Sequence, residues 1–316
     1  MPITNVKEVA VARGLTQIMR TQIRNTRQTW PMVALRVPST SESENYGWLN
    51  DMPGMKEFLG DRIFEELRAT TYSIRNKTWE QSVGLDRHKV ADDNYGMYGP
   101  VAQRTAQKGA RHPDNLLIDL IKNGETQLCY DGQFFFDTDH SEGDSGLQSN
   151  LLDYDVADLT KVTIEEFKSA FHKALLQMFT FKTDRGDLII DPEAIGFEDS
   201  ELKIMVPLEL VEVADAAMTI TLGEGGRTFH RLRRAEVIPI TSLGASFGGS
   251  DTMFDLLYCG DVLKPYVFQD RAPLVYQTKG SNDIESKHIK IMGEARYNVG
   301  YGLWQYAVRT KFRQEA

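Results

Sequence analysis

The chain has 316 residues, 41% hydrophobic and 26% charged, a balance that excludes a disordered or fibrous protein and leaves room for one elaborate domain or two ordinary ones. Its formal charge is −9, but the acidity is uneven: up to Arg36 six basic residues face Glu8 alone, so a basic arm precedes an acidic body. No run approaches the roughly 18 apolar residues of a membrane span and the start MPITNVKEVAVARG holds no signal-peptide core, so cytoplasmic synthesis without a membrane partner is expected.

In the arm, Val9, Val11, Leu15, Ile18, Met19 and Ile23 recur at helical spacing, with Gly14 as the weak point. Arg13, Arg20, Arg24 and Arg27 are the candidates there for touching nucleic acid or an acidic partner. WPMVALRVPSTSESENYGWLNDMPG begins as a short strand-like run. It then loses apolar periodicity and is punctuated by Pro38, Gly47, Pro53 and Gly54, which reads as a long loop held by something outside itself. RATTYSIRNKTWEQSVGLDRHKV is rich in β-formers and predicts a ribbon. ADDNYGMYGPVAQRTAQKGARHPDNLLIDLIKNG predicts one long broken helix: Asp92 or Asp93 caps its start, Pro113 interrupts it, Asp114 helps restart a turn and Gly124 stops it. Thr163 and Glu166 form a capping box ahead of a face made by Ile164, Phe167, Phe171, Ala174, Leu175 and Met178. ELKIMVPLELVEVADAAM predicts a strand entering a helix at Pro207. RAEVIPITSLG, YVFQDRAPLVYQT, HIKIMGEARYNVGYG and WQYAVRTKF predict strands. Helices and strands mix without βαβ alternation, which argues for the α+β class.

FFFDTDHSEGDSG, from Phe134 to Gly146, looks like a metal loop. As a calcium loop it offers Asp137, Asp139 and Ser141, but Glu142 stands where the turn needs glycine and Gln148 where a bidentate glutamate is required. A transition-metal site from Asp137, Asp139 and His140 lacks a further ligand, so no metal is expected. GASFGGSD has Ser250 in place of the phosphate-binding lysine, and GEGGRT has Thr228 in place of the last fingerprint glycine; both read as turns. Cys129 and Cys259 form no C-x-x-C pair and read as buried thiols. The six histidines join no local catalytic motif. No catalytic residue and no cofactor are expected.

SENYGWLNDMPGMKEFLGDR, YSIRNKTWEQSVGLDRHKVADD, YDGQFFFDTDH and GEARYNVGYGLWQYAVRT, in order from about Ser43 to Thr310, together resemble the major head subunit of Mu-like tailed bacteriophages. The resemblance implies the tailed-phage major capsid protein fold, shared with herpesvirus shells and encapsulins. It implies an N-terminal arm at 1–41, an extended loop with its ribbon at 42–82, a peripheral domain with a long spine helix at 83–184, an axial domain at 185–272, and returning peripheral-domain strands at 273–316. FFFDTDH is then a strand that leaves the peripheral helix and turns, its aromatics in the core and its acids bracing the loop. The implied function is that of a structural protein of the virion, in many copies as hexamers and pentamers of an icosahedral head around double-stranded DNA, assembled in the host bacterial cytoplasm.

Arms and loops without a core of their own find one on neighbouring copies, so Tyr46, Trp48, Phe58 and Trp79 are expected at inter-subunit contacts. The arginine-rich arm is expected on the inner face. Only a short basic arm stands before the fold, which implies a separate scaffolding protein, together with a maturation protease and a portal protein. Asn76, Lys77 and Lys89 supply the residue types of the covalent crosslink found in one branch of the fold, but no crosslink site is expected. Two alternatives carry different chemistry: an encapsulin-like compartment around a protein cargo, and a metal-dependent hydrolase built on Asp137, Asp139 and His140.

Overall fold

A computed structural model describes residues 4–46, 72–86, 89, 92, 96–191, 201–219, 235–279 and 288–314. The arm forms helix α1 (Thr4–Asn25), a single turn α2 (Trp30–Val33) and strand β1 (Ala34–Pro38). Then come a two-stranded ribbon of β2 (Ser43–Asn45) and β3 (Ser73–Arg75), strand β4 (Lys77–Asp86), and helices α3 (Tyr98–Ala110) and α4 (His112–Lys122). The middle holds β5 (Leu151–Val156), α5 (Ile164–Phe179), β6 (Leu202–Val206), α6 (Val211–Thr219) and β7 (Glu236–Pro239). Strands β8 (Met253–Tyr258), β9 (Tyr266–Lys279), β10 (His288–Tyr301) and β11 (Ala307–Gln314) complete the chain.

One sheet runs β1-β9-β10-β4, with β1 parallel to β9 and the other pairs antiparallel. Along β10 burial alternates residue by residue from His288 to Ala295, so one face carries Ile289 and Ile291 inward. α1 and α3 cover that face through Ala12, Leu15, Met19, Ala102 and Ala106. Helix and sheet approach closely because residue 109 is glycine: a Cβ there would lie 2.6 Å from the Tyr276 hydroxyl and 2.8 Å from a Leu274 methyl.

The second sheet runs β5-β11-β8-β6-β7. Its central strands β6 and β8 are buried at every position, as in a sheet covered on both faces. The apolar stripe of α5 packs here, with Phe167 4.9 Å from Phe254 and 6.0 Å from Phe312 between ring centroids. Both halves of the Thr163–Glu166 capping box form. This sheet gathers strands from the stretches 83–184, 185–272 and 273–316, and β9 runs through residue 272.

Four local expectations are corrected. The long helix begins at Tyr98 behind Met97, without a side-chain cap, downstream of Asp92 and Asp93. Its break falls at Arg111, because Pro113 sits in the first turn of α4 where a missing N–H does no harm. Pro207 stays extended, and a 3-10 turn separates it from α6. FFFDTDH makes no strand: a bridge between Leu128 and Phe134 is followed by bends, and Phe135 and Phe136 are buried whereas Phe134 is 39% exposed.

Candidate functional site

Residues 46 and 72 lie within the expected extended loop and ribbon at 42–82, on either side of residues 47–71, which fall outside the described residues, and both are fastened to the body. The Glu44 carboxylate accepts hydrogen bonds from the Thr40 and Ser41 amides and the Ser39 hydroxyl at 2.8–3.0 Å. These donors, the Thr40 amide first, hold its pKa down to about 2. Asn76 Nδ2 donates to Ser39 Oγ and the Ser41 carbonyl, and the Tyr46 amide donates to the Tyr72 carbonyl. Gln269 of β9, fully buried, donates through Nε2 to the Ile74 carbonyl and accepts the Tyr46 hydroxyl at 2.6 Å. Asn298 of β10 donates to the Arg75 carbonyl.

The aromatics expected between subunits fare differently. Tyr46 is 1% exposed in its own chain, and burial pushes its phenol pKa up. Trp79 is half-buried, donates from Nε1 to the Tyr297 carbonyl at 3.0 Å and meets the edge of the His112 ring. The sequence offered neither residue local company because their partners lie far along the chain, on β9, β10 and α4. Trp48 and Phe58 lie outside the described residues. The Asn76 amide nitrogen is engaged at the loop root.

In the arm, Arg13, Arg20, Arg24 and Arg27 are all exposed, and Ala12, Leu15, Thr16 and Met19 turn inward. At 3.6 residues per turn, Arg13, Arg20 and Arg24 lie along one line of α1, with Arg27 just past the helix end.

Asp137, Asp139 and His140 do not converge. Asp137 braces the loop by accepting from the Thr138 and Phe134 amides. Asp139 is exposed, and the neighbouring Asp137 carboxyl raises its pKa. His140 points inward, completely buried, with Nδ1 2.6 Å from Asp131 Oδ2 and its ring stacked on Trp304 at 3.9 Å.

Sequence reading missed the actual cluster, in which ligand atoms of Cys129, Asp131 and His140 lie within 4.8 Å of one another. Within it the Asp131 carboxylate is fully engaged, whereas the buried His140 Nε2 has no hydrogen-bond partner among the described residues. Cys129 Sγ donates to Asp131 Oδ1, so each carboxylate oxygen already has its partner. Burial and the Asp131 charge push the thiol pKa up, which keeps it protonated and a poor metal ligand. Burial raises the Asp131 carboxyl, but the hydrogen bonds from His140 and Cys129 outweigh it and leave the pKa below the ordinary value. The stretch 244–251 holds one 3-10 turn, Ala245–Phe247, directly after another at Thr241–Leu243, and is closed by Asp251, whose carboxylate accepts the Ala245 amide.

A second buried cluster ties the second sheet to α4. Arg309 of β11 is 1% exposed; its Nε and Nη2 donate to the two oxygens of Asp255 on β8 at 2.7 and 2.8 Å. Nη2 also reaches the Ile121 carbonyl at the end of α4, Nη1 reaches Glu125, and the guanidinium lies 4.1 Å from the Phe136 ring centroid. This arrangement has the form of a structural lock, without a cleft where a substrate would enter.

A helical arm, a short two-stranded ribbon, a two-part helix beside one sheet and a second sheet whose strands β6 and β8 are buried throughout make up a fold of the tailed-phage capsid class. The fold matches that of a subunit in the procapsid of bacteriophage JBD30 (TM-score 0.52, 23% identity, 97% of this chain and 76% of that one). It also matches the mature capsid of bacteriophage PhiM1 (TM-score 0.57, 10% identity, 92% and 88%). The Mu-like prophage major head subunit gpT family matches residues 9–164 and 228–316, and the chain belongs to that family. Over 108 residues it is 45% identical to the major capsid protein of Escherichia phage Mu, which is 34% of this chain and 35% of that protein. The chain thus aligns with about a third of the length of the curated relatives it matches. Among the described residues no helix is long and apolar enough to cross a membrane.

Proposed function

We propose that many copies of this chain assemble, as hexamers and pentamers, into an icosahedral phage head enclosing double-stranded DNA, and that the chain has no enzymatic role. The observation that carries this reading is the family match at both ends of a chain with the shell-subunit fold. In this reading 1–41 is the arm, 42–82 the extended loop, 83–184 the peripheral domain, 185–272 the axial domain, and 273–316 the returning strands. Arm and loop clamp adjacent subunits, with Trp48 and Phe58 supplying apolar contact. Arg13, Arg20, Arg24 and Arg27 face inward. Assembly takes place in the host cytoplasm with a separate scaffolding protein, a maturation protease and a portal.

Electron microscopy of the chain co-expressed with the other head proteins tests the proposal. Closed shells are expected, and a folded subunit that remains monomeric with all of them present overturns it. Uniform closed shells from this chain alone would remove the scaffolding protein from the scheme.

A further inference from the structure

The sequence is acidic overall, with 45 Asp and Glu residues, yet 9–41 and 94–113 contain none. The fold brings these two acid-free stretches together. α1 and α3 pack side by side on the same sheet face through Ala12, Leu15, Met19, Ala102 and Ala106. They run the same way: Ile18 sits against Gly99, and Gln28, just beyond α1, donates from Nε2 to the Ala110 carbonyl at 2.6 Å. α1 carries Arg13, Arg20 and Arg24 along one line. α3 and its end carry Arg104, Lys108 and Arg111, spaced four and three residues apart and also on one face. All six are exposed, and none has an ion-pair partner among the described residues.

Helix-dipole compensation accounts for Arg24 and Lys108, which lie in the last turns of their helices. It does not account for Arg13, Arg20 and Arg104, a turn or more before the ends, or for the exclusion of acids from both stretches. The nearest carboxylate by sequence, Asp114, caps the Thr29 and Trp30 amides and feels the Arg111 charge without forming a salt bridge to it.

We infer that α1 and α3 together form one polyanion-binding platform, and that its ligand is the phosphate backbone of double-stranded DNA, bound without sequence preference. The inference rests on the head reading above and adds to it the α3 cations. The line from Arg13 to Arg24 is about 16 Å long at 1.5 Å per residue, roughly five base pairs of duplex at 3.4 Å per step. Because both helices are fixed to the sheet, the cations are held in place, so binding orders little chain.

Purified full-length subunit and a 30-base-pair duplex of random sequence, followed by fluorescence anisotropy between 50 and 200 mM salt, provide the test. Each phosphate contact contributes about 0.9 to the slope of log affinity against log salt. Replacing Arg104, Lys108 and Arg111 by glutamine should flatten that slope by about 2–3 and weaken every duplex alike. The same change at Arg13, Arg20 and Arg24 should do as much, whereas lysine at the arginine positions should retain binding. Unchanged melting of these surface variants shows that folding is not the cause. An α3 triple variant that binds with wild-type affinity and slope overturns the platform. So does tighter binding of a polyglutamate peptide than of the duplex, which would make the partner an acidic protein. Electron microscopy separates the two readings: shells that form but hold less DNA support the platform, absent shells from a variant whose anisotropy is unchanged overturn it, and a wild-type chain that forms no shell with the other head proteins present overturns the head assignment.

Discussion

Arg309→Met removes the cation from the most enclosed ion pair and leaves a side chain of similar length. Asp255, itself 1% exposed, would keep its charge and lose both partners at 2.7 and 2.8 Å, and the Ile121 carbonyl would lose a donor. Stranding one member of a buried pair costs about 3–5 kcal/mol. At an unfolding entropy of about 2.1 cal/mol/K per residue, that corresponds to about 4–8 °C in Tm for a chain of this size. Thermal melts of the soluble subunit, followed by circular dichroism, read it directly. Arg309→Lys keeps the charge but not the two-pronged fit, and should fall between Met and wild type. Arg309→Leu with Asp255→Leu removes both charges, and should recover most of the loss because the pair's own desolvation penalty disappears. If Arg309→Met melts within about 1 °C of wild type, or the double variant melts below Arg309→Met, the cluster does not lock the second sheet to α4 and this reasoning fails.

Gly109→Val pushes side-chain atoms into Tyr276, Gln81 and Leu274, and should lower stability by about 1–3 kcal/mol in the same melts; an unchanged Tm would mean that α3 can lift off the sheet freely. Glu44→Gln removes the charge from three hydrogen bonds at the loop root, so the Thr40 and Ser41 amides should exchange with deuterium at least about tenfold faster, and wild type should behave likewise as pH falls toward 2. The folded-state carboxyls of Glu125 and Asp131 both lie below their ordinary values: burial opposes the charge in each, but Lys311 with Arg309, and His140 with Cys129, outweigh it. Their stabilisation is therefore complete above the ordinary carboxyl range of about 4 and lost as pH falls through the lowered values; melts from pH 6 to 3 should drop below pH about 4, and a flat profile would refute the pairing. Cys129, buried and protonated, should ignore maleimide in the native subunit and react only after unfolding.

Helices were legible wherever one face of the sequence was apolar over several turns. The capped helix α5 was readable to its first residue, since Thr163 and Glu166 act on each other three positions apart. Strands β9, β10 and β11 were readable as β-rich runs, whereas β8, MFDLLY, was passed over because a strand buried on both faces shows no alternation. The His140 cluster was not legible for a different reason. Asp137, Asp139 and His140 are neighbours in sequence, but an irregular turn sends His140 into the core toward Asp131 and Trp304, and leaves Asp139 in water. Nothing within WQYAVRTKF marks Arg309 as buried, and only the pairing of β11 with β8 sets it opposite Asp255. The aromatics at 46 and 79 find partners within the chain that lie far off in sequence, because a lack of partners nearby in sequence does not mean a lack of partners in space.

The attachments of arm and loop meet at a few residues of β9. Pro38 of β1 pairs beside Asp270, whose carbonyl accepts the Ser39 amide and whose carboxylate accepts Arg36. The preceding residue, Gln269, holds both Tyr46 and the Ile74 carbonyl, on either side of the loop root. The following residue, Arg271, donates to the Ser39 carbonyl. Gln269 is buried and its two hydrogen bonds have narrow ranges of length and angle, so Tyr46 and Ile74 move with β9; Asp270 is half-buried and Arg271 exposed, and their bonds to Arg36 and Ser39 bring the end of β1 to the same strand. A displacement of Tyr46 or Ile74 is therefore passed through Gln269 to β9, which pairs with β1. The sequence places these contacts on three consecutive polar residues, Gln269, Asp270 and Arg271, in an otherwise apolar strand start.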